Sequence, residues 1–373
     1  MSPEYTVLHV GKFYPPHNGG IETHVRDLAV RQAGRFRVRV LVSNDVRRTE
    51  HAVLEGVSVT RLARWGTIAS MPVCPGMIQA IRRSPADLVH IHVPNPGAAF
   101  AYLQSGHRGK LILTHHADTL GRKFLRKLSD RFVRTAMDRA AVIIATSQRY
   151  LQSSPELAPY RDKCRVIPLG IDFRQVTVPP EPGTKPEPTL EGPLVLAIGR
   201  LVPYKGFDVL IRAMQSVDAQ LILIGTGPQG PQLQSLIDSR NLGHKVKMLG
   251  RVSDLRPYMQ AASIFVMPSV TRAEAFGLVQ LEAMAAGLPV INTEIDSGVP
   301  EVSLHGETGL TVPPGDESSL AEAMQLLLHR PDLREQYGKA AKERVLKEYS
   351  VEKMAERTLA VYEEVLGLHA SAR

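Results

Sequence analysis

The residues most able to do chemistry are two cations and two carboxylates in the second half of the chain. Arg200 and Lys205 lie in the stretch Gly199-Arg200-Leu201-Val202-Pro203-Tyr204-Lys205-Gly206, directly after the apolar run PLVLAIG. A planar guanidinium fork and a point-charge ammonium suit a diphosphate, and they stabilise the negative charge that grows as it departs. A lone surface cation has the plainer reading of solubility, but here both cations share one loop with glycine at each end. The segment Glu274-Ala275-Phe276-Gly277-Leu278-Val279-Gln280-Leu281-Glu282 follows the run SIFVMPS. Were both glutamates on one helix, a rise of about 1.5 Å per residue would set them ~12 Å apart, too far for an acid/base pair. They are instead suited to the two ends of an elongated ligand, one carboxylate on a sugar's hydroxyls and the other on a ribose. Amides around Phe276, Gly277 and Leu278 then point at phosphate between them. A solvated helix face fits Glu282 poorly, because LVQLEAMAAGL around it is almost wholly apolar.

Two further patterns are weaker. Gly225-Thr226-Gly227-Pro228-Gln229-Gly230 has the spacing of a dinucleotide-binding turn, but the next apolar run, KVKML, leads into Gly250-Arg251 with no acid for a ribose. What survives is a strand-to-helix turn whose backbone approaches a nucleotide closely, set against a simple tight turn. His90 and His92 share one face of a strand by period-two alternation, which is also how a metal-dependent hydrolase begins. That chemistry needs more ligands at later strand ends, and those ends read Ala145-Thr146-Ser147, Gly199-Arg200, Gly225 and Pro268-Ser269. Cys74 and Cys164 sit in no metal-ligand spacing, and two distant cysteines make no disulfide framework.

Elements that could position these groups recur along the chain. TVLHV, RVRVLVS, DLVHIHV, KLILTHH, AVIIATS and CRVIPLG, then PLVLAIG, QLILIG, VKMLG, SIFVMPS and LPVIN are short runs, mostly apolar on both faces. Strands of a parallel sheet covered by helices read this way. Between Gln175 and Pro193 the pattern gives way to the proline-rich QVTVPPEPGTKPEPTLEGP, a linker. The expected organisation is α/β: a doubly wound domain over residues 1–174, the linker 175–193, a second doubly wound domain over 194–345, and a C-terminal helix over 346–373 crossing back to the first. A ligand cleft is expected between the domains, at the carboxyl ends of the strands.

The 373 residues are 43 % hydrophobic and 22 % charged, an ordinary globular composition. No apolar run approaches the ~18 residues of a membrane span, and the N-terminus has no leader pattern, so a cytoplasmic protein is expected. Residues 1–190 carry 27 Lys and Arg against 15 Asp and Glu, whereas 191–373 carry 18 against 22. The net charge of +8 therefore belongs to the first half. Nucleic acid, an anionic membrane or a phosphorylated substrate would each account for it.

The ordered set GKFYPPHNGGIETHV, IGRLVPYKG, GTGP, LGRVSD, EAFGLVQLEAMAAGLPV and GVPEVSLHGETGLTVPPGD resembles the retaining GT-B glycosyltransferases of family 4 across nearly the whole chain. That resemblance implies two Rossmann-like domains facing a central cleft. It implies that Arg200 and Lys205 clamp the diphosphate of a nucleotide sugar, that Glu274 binds the donor sugar and Glu282 the ribose, and that residues 250–254, with Val252 and Asp254, line the base. Gly227 joins the donor site. Gly19 and Gly20, after the first strand and before a helix at Ile21 and Glu22, offer backbone amides to the donor phosphate. In Thr114-His115-His116-Ala117-Asp118 the third motif position selects His116 over His115 as the histidine facing the donor sugar, orienting it rather than attacking it. Asn95 and Asp118 fall on the acceptor side.

The activity so implied is a hexosyltransferase that retains anomeric configuration, with mannose from GDP-mannose as the donor of choice and UDP-sugars as the alternative. Hinge closure excludes water, and the acceptor hydroxyl attacks from the face of the leaving group. Asp254 is suited to the guanine edge. No cofactor and no metal are expected, since the chain lacks an Asp-x-Asp pair. The acceptor is a glycan or a polyprenyl-diphosphate-linked sugar of cell-surface polysaccharide synthesis, as in the O-antigen branch of lipopolysaccharide, and nucleic acid is not a partner. Residues 121–139 place Phe124, Leu125, Leu128, Phe132 and Ala136 on one stripe with six cations around it, and this helix lies either on the anionic cytoplasmic leaflet or on the core. Replacing Arg200 or Lys205 by Ala is expected to lower turnover far more than stability. Two rivals remain, a catalytically silent nucleotide-sugar-binding subunit and a nicotinamide-dependent enzyme.

Overall fold

The computed structural model describes residues 4–17, 19–68, 71–118, 123–181, 184, 187 and 192–368. The chain divides into two units, one of residues 1–169 and 351–373, the other of 170–350. Both are built on parallel sheets.

The first unit contains β1 (Thr6–Val10), β2 (Arg37–Ser43), β3 (Glu50–Leu54), β4 (Val57–Leu62), β5 (Gly66–Ile68), β6 (Met71–Val73), β7 (Leu88–Val93), β8 (Lys110–His115), β9 (Val142–Ala145) and β10 (Cys164–Val166). Its main sheet has the order β10-β9-β8-β7-β1-β2-β4-β3, while β5 and β6 form a separate hairpin. All neighbours in the main sheet are parallel except β3 and β4. Strands β1, β7 and β9 are buried at every position, which is why they read as unbroken apolar runs. The β3–β4 hairpin reads differently: β3 alternates between half-buried and exposed side chains, and the hairpin turns at Glu55 and Gly56, both with positive φ. A search for two-faced apolar runs passes over such an edge hairpin.

The last helix, Val351–Leu366, belongs to this unit. Its Tyr362 is fully buried against Phe36, His9 and His90, and on its surface Glu352 pairs with Arg31 and Glu363 with Arg35. The helix expected over 346–373 starts later, because Pro331–Glu348 is a separate helix and the chain turns at Tyr349 and Ser350.

The second unit holds β11 (Leu194–Ile198), β12 (Gln220–Ile224), β13 (Val246–Leu249), β14 (Ile264–Val266), β15 (Val290–Thr293) and β16 (Gly309–Val312), in the order β13-β12-β11-β14-β15-β16 and all parallel. One face buries Val195, Ala197, Leu221, Leu223, Ile264 and Val266 against Phe207, Leu210, Met214, Leu233, Met324 and Leu327 from the covering helices. The boundary between the units falls at Leu169 and Gly170, earlier than the proline-rich stretch. Part of that stretch is docked, since the Tyr258 hydroxyl donates to the Glu187 carbonyl at 3.0 Å. Residues 182–183, 185–186 and 188–191 of the expected linker lie outside the described residues.

Helix Lys123–Arg139 turns Val133, Ala136 and Met137 into the core, and Phe132 packs edge-on against Phe100 with centroids 4.9 Å apart. Over this half the apolar stripe faces protein, so the reading of a helix laid on a leaflet is corrected there. Arg122 and the side chains of Lys123, Phe124, Leu125, Arg126, Lys127 and Leu128 lie outside the described residues. No helix among the described residues is long and apolar enough to cross a membrane.

Candidate active site

In the second sheet the order reverses between β11 and β14, and at such a switch point the loops leaving the two strands part and leave room for a ligand. The register pairs Leu196 with Phe265, which carries Gly199-Arg200 out of the sheet beside Pro268-Ser269. The two loops are joined: the Val270 N–H donates to the Tyr204 carbonyl at 2.8 Å. Gly206, at φ +67°, lies so close that a Cβ would stand 2.1 Å from the Pro268 carbonyl oxygen, so only glycine permits this approach.

This contact buries Lys205 and Glu274 together, each 8 % exposed, as an ion pair from Nζ to Oε2. Ser269 Oγ donates to the same carboxylate oxygen at 3.2 Å. Tyr204 packs beside them, its ring centroid 5.9 Å from Nζ, and burial reinforced by the Glu274 charge raises its phenol above the ordinary range. Arg200 is exposed, and among the described residues its guanidinium has no hydrogen-bond or ion-pair partner. Ser269 was not foreseen as part of this group; its place at the end of a strand was the available signal.

Helix Leu278–Ala285 begins beside this pair, with Gly277 at its N-cap. Gly277 has φ +75°, and a Cβ would meet Met267 Cε at 2.6 Å. The first amides of such a helix have no intrahelical acceptor and favour an anion. Phe276 is buried, its carbonyl accepting from Gln280 Nε2 at 2.8 Å and its ring edge-on to Tyr349. Glu282, in the second turn, is half-buried; among the described residues its carboxylate has no ion-pair or hydrogen-bond partner, and desolvation pushes its pKa up to about 7.

Gly225 and Gly227 serve the same loop from below. A Cβ on Gly225 would fall 1.8 Å from the Gly199 carbonyl oxygen, and one on Gly227 2.3 Å from that of Leu201. The glycine spacing thus fits the Gly225–Gly230 turn against the backbone that carries Arg200. Val252 is half-buried. Asp254 is gripped by Arg256, with Nε to Oδ1 and Nη2 to Oδ2 both at 2.8 Å, and it also accepts the Arg256 N–H at 3.0 Å. Asp254 is thus held by Arg256, with its carboxylate partly exposed.

In the first unit Gly19 is the N-cap of helix Gly20–Gln32 with extended backbone, and Gly20 opens the helix. Neither has a left-handed φ, so glycine is not dictated there by the turn. His115 is 1 % exposed, held by the Tyr150 hydroxyl at 2.8 Å and by Glu156 at 3.2 Å. His116 lies just past β8, 6 % exposed, its Nε2 3.3 Å from His92 Nδ1. Asp118 Oδ1 accepts from the hydroxyls of Tyr150, at 3.3 Å, and Ser154. Asn95 caps helix Pro96–Ser105, accepting the Ala98 N–H at 3.1 Å, while its Nδ2 is buried with no partner among the described residues. His24, on helix Gly20–Gln32, packs edge-on against His116 and was not foreseen.

Residues 18–175 match the model of Glycosyltransferase Family 4, and residues 184–344 that of Glycosyl transferases group 1. A D-rhamnosyltransferase of Pseudomonas aeruginosa is 33 % identical over 69 % of this chain and 68 % of its own. This chain belongs to the family 4 glycosyltransferases. The O-antigen chain mannosyltransferase C of Escherichia coli is similar to this glycosyltransferase along 96 % of this chain and 98 % of its own, at 26 % identity. Among solved structures, Anabaena HepE in complex with UDP and glucose superposes with a TM-score of 0.77 at 21 % identity, covering 97 % of this glycosyltransferase and 100 % of that chain. The likeness is one of fold, and the fold is GT-B with two Rossmann-like units, as the resemblance implied.

Proposed function

We propose that this glycosyltransferase moves mannose from GDP-mannose, with retention, onto a glycan or lipid-linked acceptor in cell-surface polysaccharide synthesis. The observation that carries the reading is the buried Lys205–Glu274 pair, next to exposed Arg200 and to a helix N-terminus, at the switch point of the second sheet. An ammonium has three N–H donors, and Glu274 takes one. The others remain for the β-phosphate, with Arg200 and the amides of Gly277 and Leu278 sharing the charge. Glu274 keeps lone pairs for the sugar's hydroxyls, and Glu282 meets the ribose.

In this reading the bond from the anomeric carbon to the phosphate oxygen breaks while the acceptor hydroxyl bonds to that carbon from the same face. The hydroxyl proton passes to the departing diphosphate. Arg200 and Lys205 supply the positive charge that a divalent ion would otherwise provide, so the reaction proceeds without one. His116 orients the sugar. Mannose is favoured by the E. coli relative, whose name also supports an O-antigen type of acceptor.

A UDP-sugar is the second reading. It is favoured by the UDP held by HepE. Incubation with GDP-mannose, UDP-glucose and UDP-N-acetylglucosamine, with assay of the nucleoside diphosphate released, separates the two. GDP release supports the first, UDP release alone the second, and thermal stabilisation by GDP or UDP without turnover would point to a silent binding subunit. The anomeric configuration of the product, read by NMR, tests retention.

A further inference from the structure

The first unit encloses a group of imidazoles of which the donor chemistry uses one, His116. His24, His92 and His116 are 6 %, 2 % and 6 % exposed, and one ring nitrogen from each lies within 4.8 Å of the others. Their hydrogen-bond chain fixes where the lone pairs are. His9 is fully buried, and its Nε2–H donates to Gln32 Oε1 at 2.8 Å. His9 Nδ1 is then an acceptor, so the contact at 3.1 Å makes His92 Nε2–H the donor. The other nitrogen of His92, Nδ1, faces His116 Nε2 at 3.3 Å. A metal ligand is oriented in this way when its second nitrogen donates outward. The 3.3 Å separation also matches the ~3.3 Å edge that bonds of about 2.0–2.1 Å give in a tetrahedral zinc site.

The third ring is the decisive one. Both ring nitrogens of His24 are buried with no hydrogen-bond partner among the described residues, although its ring lies 4.8 Å from that of His116 and 5.3 Å from that of His92. A buried imidazole without partners is costly unless something takes its lone pair. The neighbouring histidines differ in this respect. His90 is bonded at both nitrogens, to Tyr362 and Thr114, and His115 to Tyr150 and Glu156.

We propose that His24, His92 and His116 bind a late divalent transition metal of the zinc class, with a fourth position left for water or a ligand. Three imidazoles select such ions over magnesium or manganese, which prefer oxygen. The site stands whether or not His116 faces a sugar.

Equilibrium dialysis of untagged protein against Co2+ and Zn2+ tests it without an activity assay. About one ion per chain is expected, unaffected by excess Mg2+, with affinity at least tenfold weaker in His24→Ala and unchanged in His51→Ala, which alters an exposed ring. Absence of binding, or binding that His24→Ala leaves intact, overturns the proposal. Should His24→Ala fail to fold, X-ray absorption at the zinc edge of the loaded wild-type chain decides: three imidazoles support the site and fewer overturn it.

Discussion

Lys205 and Glu274 are buried together, so each is needed for the stability of the other as well as for chemistry. Lys205→Ala leaves the Glu274 carboxylate with only the Ser269 hydroxyl, and we expect a loss of about 3 kcal/mol by urea unfolding, alongside a turnover loss on the order of 100-fold or more. The double variant Lys205→Met with Glu274→Gln should recover most of the stability and none of the turnover. Arg200→Ala removes an exposed cation and should change stability by less than about 0.5 kcal/mol while turnover still falls. The sequence-based expectation of turnover loss without stability loss therefore fits Arg200 and needs amending for Lys205, whose burial follows from a loop-to-loop contact that no spacing reveals. Glu282 adds a pH dependence. Its folded pKa of about 7 exceeds the ordinary 4.5, so between these values the folded chain holds a proton that the unfolded chain releases, and stability falls as pH rises through that window. Glu282→Gln removes the effect. Relative to wild type, the variant should gain about 3 kcal/mol more at pH 8 than at pH 4.5 in thermal or urea unfolding, and nucleotide affinity should fall.

At the scale of elements, the active loops rest on glycines whose missing side chains are replaced by backbone. Gly225→Ala places a methyl 1.8 Å from the Gly199 carbonyl, at φ +152°, and should destabilise by several kcal/mol and displace Arg200. Gly243→Ala, with nothing within 4 Å of its Cβ, should be neutral or slightly stabilising. Parallel thermal unfolding of the two variants checks this, and equal effects would show that the turn is not sterically set. Residues 225–230 illustrate what a motif conveys. Their glycine spacing marked a close approach, but whether a ligand or another loop made the approach depends on strand order, which a local pattern does not encode. The strands were legible because parallel strands buried on both faces leave runs such as TVLHV and QLILI. The β3–β4 hairpin escaped because its outer strand alternates with exposed positions, and β16 because Gly309 and Thr311 interrupt its apolar run.

For the whole molecule, the organisation turns on where the C-terminal helix packs. Tyr362→Ala should remove a fully buried ring from among Phe36, His9 and His90 and cost about 3–5 kcal/mol, whereas Tyr362→Phe loses only the bond to His90 and should cost about 1–2 kcal/mol. Limited proteolysis with mass spectrometry should show new cleavage within residues 1–169 and none within 170–350; the reverse pattern would contradict the division into these units. A helix-rich C-terminal segment was visible in the sequence, but the turn at Tyr349 and Ser350 that separates its two helices was not, because neither glycine nor proline marks it. The charge imbalance between the halves was visible as well, although part of its basic helix covers core instead of solvent. One consequence concerns synthesis. Residues 170–350 are continuous and can assemble as soon as they emerge, whereas residues 1–169 lack their closing helix until 351–366 are made. At 5–20 residues per second that interval is roughly 10–35 seconds, during which the pocket for Tyr362 stands open to other apolar surfaces, so the part of the chain made first is the part that most needs protection from premature association.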